Sequence, residues 1–168
     1  MIKQFSTSVV VIDQLTTEPE ILFVFHRKFN KWMVPGGHVE RSENPMECAV
    51  REVKEETGVA IEVISFIHRE LKNKDSVWVM PPEYVFEQTI PASAEQEQHI
   101  HIDCVYVGVA IRKTLEVNYR ETSGVQWIPL SKVWEMDLFD GTKAVIRDIQ
   151  RKMDSLFQAR LANEKAMY

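Results

Sequence analysis

The sequence predicts an α/β protein in which a mixed β-sheet is covered by helices on both faces. Three observations lead to this prediction. Apolar runs of strand length recur along the chain, a helix with two chemically different faces interrupts them, and an amphipathic helix follows the last of them. The chain has 168 residues, 45% hydrophobic and 27% charged, which is enough for one domain with a substantial core. We therefore expect residues 1–168 to form a single domain.

The first part of the chain is predicted to form a β-hairpin. The apolar runs at 8–12 and 21–26 have the composition of buried strands, and the polar segment between them contains Pro19 and favours a turn. The basic pair Arg27 and Lys28 follows the second strand directly. Such a pair either binds phosphate oxygens or is solvated on the surface, and both interpretations stay open.

A helix is predicted between a diglycine and a later glycine. Asn44 is a good N-cap residue, Pro45 suits the first helical position, and Gly58 is placed to end the helix in a left-handed conformation. Helical spacing separates an acidic arc from an apolar arc. The acidic arc contains Glu52, Glu55 and Glu56, and the apolar arc contains Met46, Ala49, Val50 and Val53.

The acidic arc predicts a site for a divalent cation. Like charges at spacings of three and four destabilise a helix by a few tenths of a kcal/mol each, so a compensating charge is expected. Mg²⁺ takes carboxylate oxygens. The competing interpretation is a solvated acidic face, balanced by Arg51 and Lys54. Just before the helix, Gly36 and Gly37 predict a loop that lets the backbone approach a ligand, where a bare carbonyl could also coordinate metal.

Further strands and a second helix are predicted after this helix. Strand-like patterns occupy residues 60–68, 84–86, 99–111 and 124–130, and a long amphipathic helix is predicted over about 142–162.

The strand that begins at His99 alternates strictly between polar and apolar residues. His99, His101 and Asp103 share one of its faces. Three interpretations are open: these residues line a pocket, they form the polar outer face of an edge strand, or they ligate a transition metal.

The glycine loop and the first helix together carry a longer pattern. It reads Gly37, five residues, Glu43, seven residues, Arg51-Glu52-Val53, one residue, Glu55-Glu56, one residue, Gly58-Val59. Chance agreement is on the order of one per billion start positions. The segment 37–59 resembles the signature of the Nudix hydrolases, the MutT-like superfamily, at every fixed position. This resemblance implies the Nudix α/β/α sandwich with a mixed β-sheet, and in element order it extends from about residue 4 to 160.

The resemblance implies a metal-dependent hydrolase with Mg²⁺ or Mn²⁺ as cofactor. Its reaction would be cleavage of the pyrophosphate bond of a nucleoside diphosphate linked to another moiety. Downstream marks of the ADP-ribose, dinucleoside-polyphosphate, NADH and coenzyme A types are absent. This leaves a general nucleotide pyrophosphatase, with nucleoside triphosphates or oxidised nucleotides as candidate substrates. The alternatives are a non-catalytic Nudix-like sensor of a nucleotide or sugar nucleotide, and a relative of the isopentenyl-diphosphate isomerases.

The metal ligands are predicted from the acidic arc and the resemblance together. Glu52 and Glu56, one turn apart, are expected to be the main ligands, with Glu55 bound directly or through water. The resemblance adds the carbonyl of Gly36. Arg51 is expected to hold Glu52 or Glu43 by a charge-assisted hydrogen bond and to act in catalysis in that indirect way.

The remaining roles are also expectations. Glu43 and Gly58 are expected to be structural. The general base is Glu52, Glu55 or Glu121, where Glu121 matches a loop glutamate of the MutT-like proteins by its place six residues before Trp127 and Glu116 is the next choice. The resemblance favours a pocket lined by the histidine-rich strand. The substrate-binding candidates are Arg27, Lys28, Gly37, His99 and His101.

Composition narrows the partners and the compartment. A formal net charge of −5 argues against a nucleic-acid polymer as partner, but not against a small-molecule nucleotide. Two cysteines are too few for a disulfide scaffold, so we expect a cytoplasmic protein. No apolar run approaches the roughly 20 residues that span a bilayer, so no membrane association is expected. Many Nudix proteins are dimers, and the resemblance permits a homodimer.

Overall fold

The computed structural model describes residues 1–13, 18–67, 70–92, 97–116 and 122–166, with side chains in the last helix described as far as residue 156. The strands are β1 (Lys3–Asp13), β2 (Glu20–His26), β3 (Lys31–Met33), β4 (Gly36–His38), β5 (Ile61–Ile64), β6 (Tyr84–Ile90), β7 (His99–Ala110) and β8 (Thr122–Pro129). The helices are α1 (Pro45–Thr57), a 3-10 helix (Leu130–Glu135) and α2 (Asp140–Ala166).

The eight strands form one mixed sheet. Its main path runs β3-β2-β1-β7-β5, while β4 pairs with β1, β6 with β7 and β8 with β2. β1 and β7 are parallel over ten residue pairs, and the other pairings are antiparallel. The predicted hairpin is confirmed, since Ile12 of β1 lies opposite Ile21 of β2.

Both faces of the sheet are covered, as the sequence predicts. Alternation along β1 sends Val9 and Val11 to one face and Val10 and Ile12 to the other. On the first face these side chains pack with Ala49 and Val53 of α1. On the second face they pack with Ile146 and Ile149 of α2. Each such apolar side chain stabilises the fold by about 1.5–3 kcal/mol when fully buried, so the two helices are held on opposite faces of the sheet.

The predicted ends of α1 are confirmed. The Asn44 side chain accepts a hydrogen bond from the Glu47 amide at 3.0 Å, and the Glu47 carboxylate accepts one from the Asn44 amide at 2.9 Å, which completes a capping box. At the other end Gly58 adopts φ 76°, a left-handed conformation that suits glycine, and its amide donates to the Lys54 carbonyl.

Several expectations require correction. Gly36 and Gly37 do not form a loop but begin the short strand β4, because they pair with β1. Val50 is not part of the buried arc; it is 37% exposed, because the face of α1 against the sheet is centred on Ala49 and Val53. α2 begins at Asp140 rather than 142 and continues to 166.

The bounds of other elements also differ from the prediction, and the first strand, predicted over 8–12, extends over Lys3–Asp13. The strand predicted over 60–68 covers Ile61–Ile64 within the described residues, which exclude residue 68. The strand predicted over 84–86 continues to Ile90 because it pairs along β7. The strand predicted over 124–130 is shifted to Thr122–Pro129.

Candidate active site

Strand β4 separates the acidic helix from a large cleft. It pairs with β1 so that Gly37 lies opposite Thr7 and His38 opposite Ser6. Successive strand residues face opposite sides. A Cβ atom at Gly37 would overlap the Glu52 carboxylate, which places that carboxylate directly against the strand backbone. The His38 side chain points to the other side, into the cleft.

Arg51 gathers three carboxylates at this helix. Its Nε and Nη2 atoms donate to both oxygens of Glu43 at 3.0 and 2.6 Å. Its Nη1 atom donates to Glu52 at 2.8 Å and to Glu55 at 2.9 Å. Nη2 also donates to the His38 carbonyl at 3.1 Å, which ties the helix to β4. The hydrogen bonds from Arg51 hold the pKa of the Glu43 carboxyl low, at about 2.

The three glutamates of the acidic arc have different surroundings. Glu52 and Glu56 are buried, with 8% and 4% of their surface exposed, whereas the Glu55 side chain is 55% exposed. The Gly36 amide donates to the Glu56 carboxylate at 3.0 Å. Lys54 turns away and donates to the Gly58 carbonyl at 2.7 Å. The interpretation of the arc as a solvated acidic face is therefore wrong for Glu52 and Glu56.

The cleft has a volume of about 670 Å³ and lies on the face of the sheet that carries α2. Gly36 and Gly37 form part of its wall, so the backbone of β4 contacts both the cleft and the acidic helix. Lys28 lines the cleft, while Arg27 is exposed on the turn after β2. Three phenylalanines contribute apolar surface to the wall: Phe29, Phe86 and Phe139.

The histidine-rich strand also faces the cleft. His99, His101 and Asp103 all line it. The interpretation as the outer face of an edge strand is wrong, because β7 pairs with β1 on one side and with β5 and β6 on the other. The Asp103 carboxylate accepts hydrogen bonds from the hydroxyls of Ser6 at 3.1 Å and Ser8 at 2.9 Å, and burial raises its pKa.

His38 is a cleft residue to which the sequence analysis assigned no role. Its Nε2 atom lies 3.0 Å from Nε2 of His101, which in turn lies 3.0 Å from Nε2 of His99. Burial, followed by neighbouring histidines, lowers the pKa of His101 to about 4 and also lowers the pKa of His38. In the sequence, the position of His38 directly after Gly36-Gly37 could have indicated that it borders the same site.

Of the two loop glutamates considered as the general base, Glu121 and Glu116, the structure describes only Glu116. Glu121 lies outside the described residues. Glu116 lies at the C-terminal end of α1, where its amide donates to the Thr57 carbonyl at 2.8 Å and its backbone and Cβ pack against Gly58.

The sandwich, the acidic helix and the cleft together define the class of protein. Residues 3–149 match the NUDIX domain family. The chain therefore belongs to the NUDIX family, in agreement with the resemblance.

Individual relatives agree with this assignment. A putative 8-oxo-dGTP diphosphatase of Bacillus subtilis is 28% identical over 114 residues, which cover 68% of this chain and 60% of the relative. Matches to other curated relatives cover as little as 12% of their length, so the chain spans less than two thirds of the curated relatives it matches.

Solved structures share the fold. A NUDIX-family hydrolase from Clostridium perfringens superposes with a TM-score of 0.67 at 19% identity, covering 93% of this chain and 99% of that one. A Caenorhabditis elegans Ap4A hydrolase gives a TM-score of 0.61 at 14% identity, covering 93% and 98%. Within the parts of the chain that the structure describes, no helix has the length and apolar character needed to cross a bilayer.

Proposed function

We propose that this protein hydrolyses the pyrophosphate bond of a nucleoside diphosphate derivative with the help of divalent metal ions. The observation that carries the proposal is the placement of two buried carboxylates, Glu52 and Glu56, against the Gly36-Gly37 backbone that also forms the cleft wall. Two similar proteins, a putative 8-oxo-dGTP diphosphatase and an Ap4A hydrolase, support the same class of reaction by their names.

The donor set of this region fits a hard divalent cation such as Mg²⁺ or Mn²⁺. Arg51 carries one positive charge and contacts three carboxylates, and Glu56 adds a fourth on the same helix. The carboxylate oxygens of this group match what Mg²⁺ binds in proteins. Glu52, Glu56 and Glu55 would hold the metal, and the Gly36 carbonyl would add a backbone oxygen. When bound, the metal neutralises phosphate oxygens and lowers the pKa of water.

The protein's own residues supply positioning and proton transfer. Arg51 fixes Glu52 and Glu55 by hydrogen bonds, and its bidentate pair with Glu43 fixes Arg51 in turn. Glu43 and Gly58 thus act structurally. The attacking water needs a general base within about 2.6–3.2 Å. Glu52, Glu55 and Glu121 are the three candidates for that base.

The cleft supplies the substrate-binding surface. Lys28 and the backbone at Gly37 would bind phosphate oxygens, with Arg27 as a second cation on the same turn as Lys28. The wall phenylalanines Phe29 and Phe86 offer flat surfaces on which a base can stack. His99 and His101 would complete the polar wall. Nucleoside triphosphates, including oxidised ones, are the substrate class we propose, and the name of the Bacillus subtilis relative supports it.

The test is a panel of nucleoside triphosphates, oxidised nucleotides and dinucleotides incubated with the protein in Mg²⁺ or Mn²⁺. We expect release of a nucleoside monophosphate from at least one class. Glu52→Gln and Glu56→Gln should lower the rate by about 100-fold or more, because each removes a charged metal ligand. Glu62→Gln is the matched control, since Glu62 is an exposed glutamate on β5 and should leave the rate unchanged.

The outcomes separate the alternatives. Tight nucleotide binding without turnover would identify a sensor rather than an enzyme. Turnover that survives Glu56→Gln would contradict the proposed metal site.

A further inference from the structure

Three histidines from two strands converge on the cleft wall. His38 ends β4, while His99 and His101 begin β7. One ring nitrogen of each lies within 4.8 Å of the ring nitrogens of the other two. The sheet builds this convergence, because β4 and β7 both pair with β1, where Ser6 lies opposite His38 and Gln4 is in register with His101.

Hydrogen bonding among the rings does not explain the arrangement. Nε2 of His101 lies 3.0 Å from Nε2 of His38 and 3.0 Å from Nε2 of His99. A neutral imidazole nitrogen carries either one proton or one lone pair. The single proton or lone pair of His101 Nε2 can point along only one of these two contacts. The other contact therefore brings two nitrogens together without a linear hydrogen bond.

The orientation of His99 is fixed by its other nitrogen. Nδ1 lies 2.8 Å from the Glu97 carbonyl oxygen, which can only accept, so Nδ1 carries the proton. Nε2 of the neutral ring therefore presents its lone pair to the cluster. Metal-binding histidines in proteins are held in this way, with the second ring nitrogen donating to a carbonyl or carboxylate.

We propose that His38, His99 and His101 bind a transition-metal cation of the Zn²⁺ class through their Nε2 atoms. Zn–N bonds of about 2.0–2.1 Å in a tetrahedral site separate the ligand nitrogens by about 3.3 Å. The two contacts of 3.0 Å are close to this spacing. The ring nitrogens suit Zn²⁺, Co²⁺, Ni²⁺ or Cu²⁺ rather than Mg²⁺. Three protein ligands leave one coordination position open for a ligand from the cleft, which all three histidines line.

This site is distinct from the acidic arc of α1. Gly37 faces Glu52 on one side of β4, whereas the His38 ring lies on the other side. The two sites also differ in chemistry, with oxygen ligands in one and nitrogen ligands in the other. Lys28 lines the same cleft, so an anionic group entering the cleft would meet both this lysine and the open coordination position.

The test is a Co²⁺ titration of the full-length, untagged protein after dialysis against a chelator, in millimolar Mg²⁺. We expect one Co²⁺ per chain with the intense visible absorption of a tetrahedral complex, and stoichiometric displacement by Zn²⁺. His38→Gln, His99→Gln and His101→Gln should each weaken Co²⁺ binding about tenfold or more, since each removes a ligand. The matched control is His26→Gln, because His26 lies in the cleft but outside the cluster.

Two further controls keep the result decisive. Glu56→Gln should bind Co²⁺ with the tetrahedral spectrum unchanged, because Glu56 belongs to the other site. His38 is exposed, so His38→Gln is the variant least able to disturb folding, and thermal unfolding checks each variant. The proposal is overturned if the wild type binds neither Co²⁺ nor Zn²⁺ at micromolar concentration, if His38→Gln binds as the wild type does, or if the Co²⁺ signal is lost in Glu56→Gln.

Discussion

At two adjacent positions, Gly36 and Gly37, the missing side chain makes room for different neighbours. A Cβ at Gly37 would overlap the end of the Glu52 side chain, which can move aside. We therefore predict that Gly37→Ala lowers the hydrolysis rate by about tenfold or more, because Glu52 is displaced from its position. The free energy of unfolding should fall by less than about 1 kcal/mol. Initial rates and urea denaturation measure the two effects.

Gly36→Ala is the contrasting variant. Its Cβ would overlap the Thr7 carbonyl oxygen, which belongs to the backbone of β1 and cannot move alone. We predict a loss of more than about 2 kcal/mol in the free energy of unfolding, because the pairing of β4 with β1 must open. Equal stability of the Gly36→Ala and Gly37→Ala proteins would contradict this account of the site.

Glu43 gives the site a stability that depends on pH. Its pKa in the folded protein is about 2, below the ordinary 4.5, because Arg51 binds the ionised form. The contribution is therefore complete above about pH 4.5 and is lost as the pH falls towards 2. We predict that Glu43→Gln lowers the free energy of unfolding by about 2 kcal/mol at pH 7 and by clearly less at pH 3.

Urea denaturation of the wild type and the Glu43→Gln variant at both pH values measures this difference. Glu62→Gln, at an exposed position of β5, should differ little from the wild type at either pH. A difference for Glu43→Gln that stays constant between pH 7 and pH 3 would show that the ion pair is not its source.

Contacts between residues that are close in the sequence were easier to predict than contacts between distant residues. Arg51 and Glu43 are eight residues apart, and the sequence offered Glu43 as one of two partners for Arg51, the other being Glu52; Arg51 contacts both. His38 and His101 are 63 residues apart, and they meet only because of the registers that β4 and β7 adopt against β1. Nothing in the local sequence of His38 specifies those registers, so its place in the cluster was missed.

At the scale of elements, α1 was predicted almost residue by residue because its start and stop are encoded locally. The capping box joins Asn44 to Glu47, three residues away. We predict that Asn44→Ala lowers the free energy of unfolding by about 1 kcal/mol, because the Glu47 amide loses its acceptor. Asn44→Asp keeps a capping oxygen and should be at least as stable as the wild type. Urea denaturation of the three proteins tests this, and equal stability of all three would contradict it.

The position of β7 in the sheet shows what the local pattern leaves open. Its alternation predicted a strand with a polar face, and a polar face is typical of a strand that borders solvent. In the fold this face borders the cleft instead, and Asp103 is held there by Ser6 and Ser8 of the neighbouring strand. Polar and apolar residues alternate in the same way whether the polar face of a strand borders a cleft or open solvent. Only the tertiary structure therefore distinguishes a central strand from an edge strand.

At the scale of the whole molecule, both apolar faces of the sheet must be buried, and the sequence contains one amphipathic helix to pack on each face. This requirement made the sandwich predictable without knowledge of strand order. The cleft was not predictable in the same way, because its wall combines Phe139, just before α2, with Phe86 of β6 and Lys28 of the turn after β2. Their meeting depends on the packing of the complete chain.

The acidic site should couple metal binding to the stability of the whole protein. Ion binding to the folded state alone stabilises it by RT ln(1 + [L]/Kd), about 1.4 kcal/mol at ten times Kd, which for a chain of this size raises Tm by about 3–5 °C. We predict such a rise for the wild type in Mg²⁺ and none for Glu56→Gln.

In chelator, Glu56→Gln should be at least as stable as the wild type, because it removes one of several like charges on one helix face. His101→Gln should retain the response to Mg²⁺ but lose any response to Zn²⁺, since nitrogen and oxygen ligands prefer different ions. Thermal unfolding by circular dichroism measures each of these responses. An equal Mg²⁺ shift in the wild type and Glu56→Gln would mean that the carboxylates of α1 do not bind the ion.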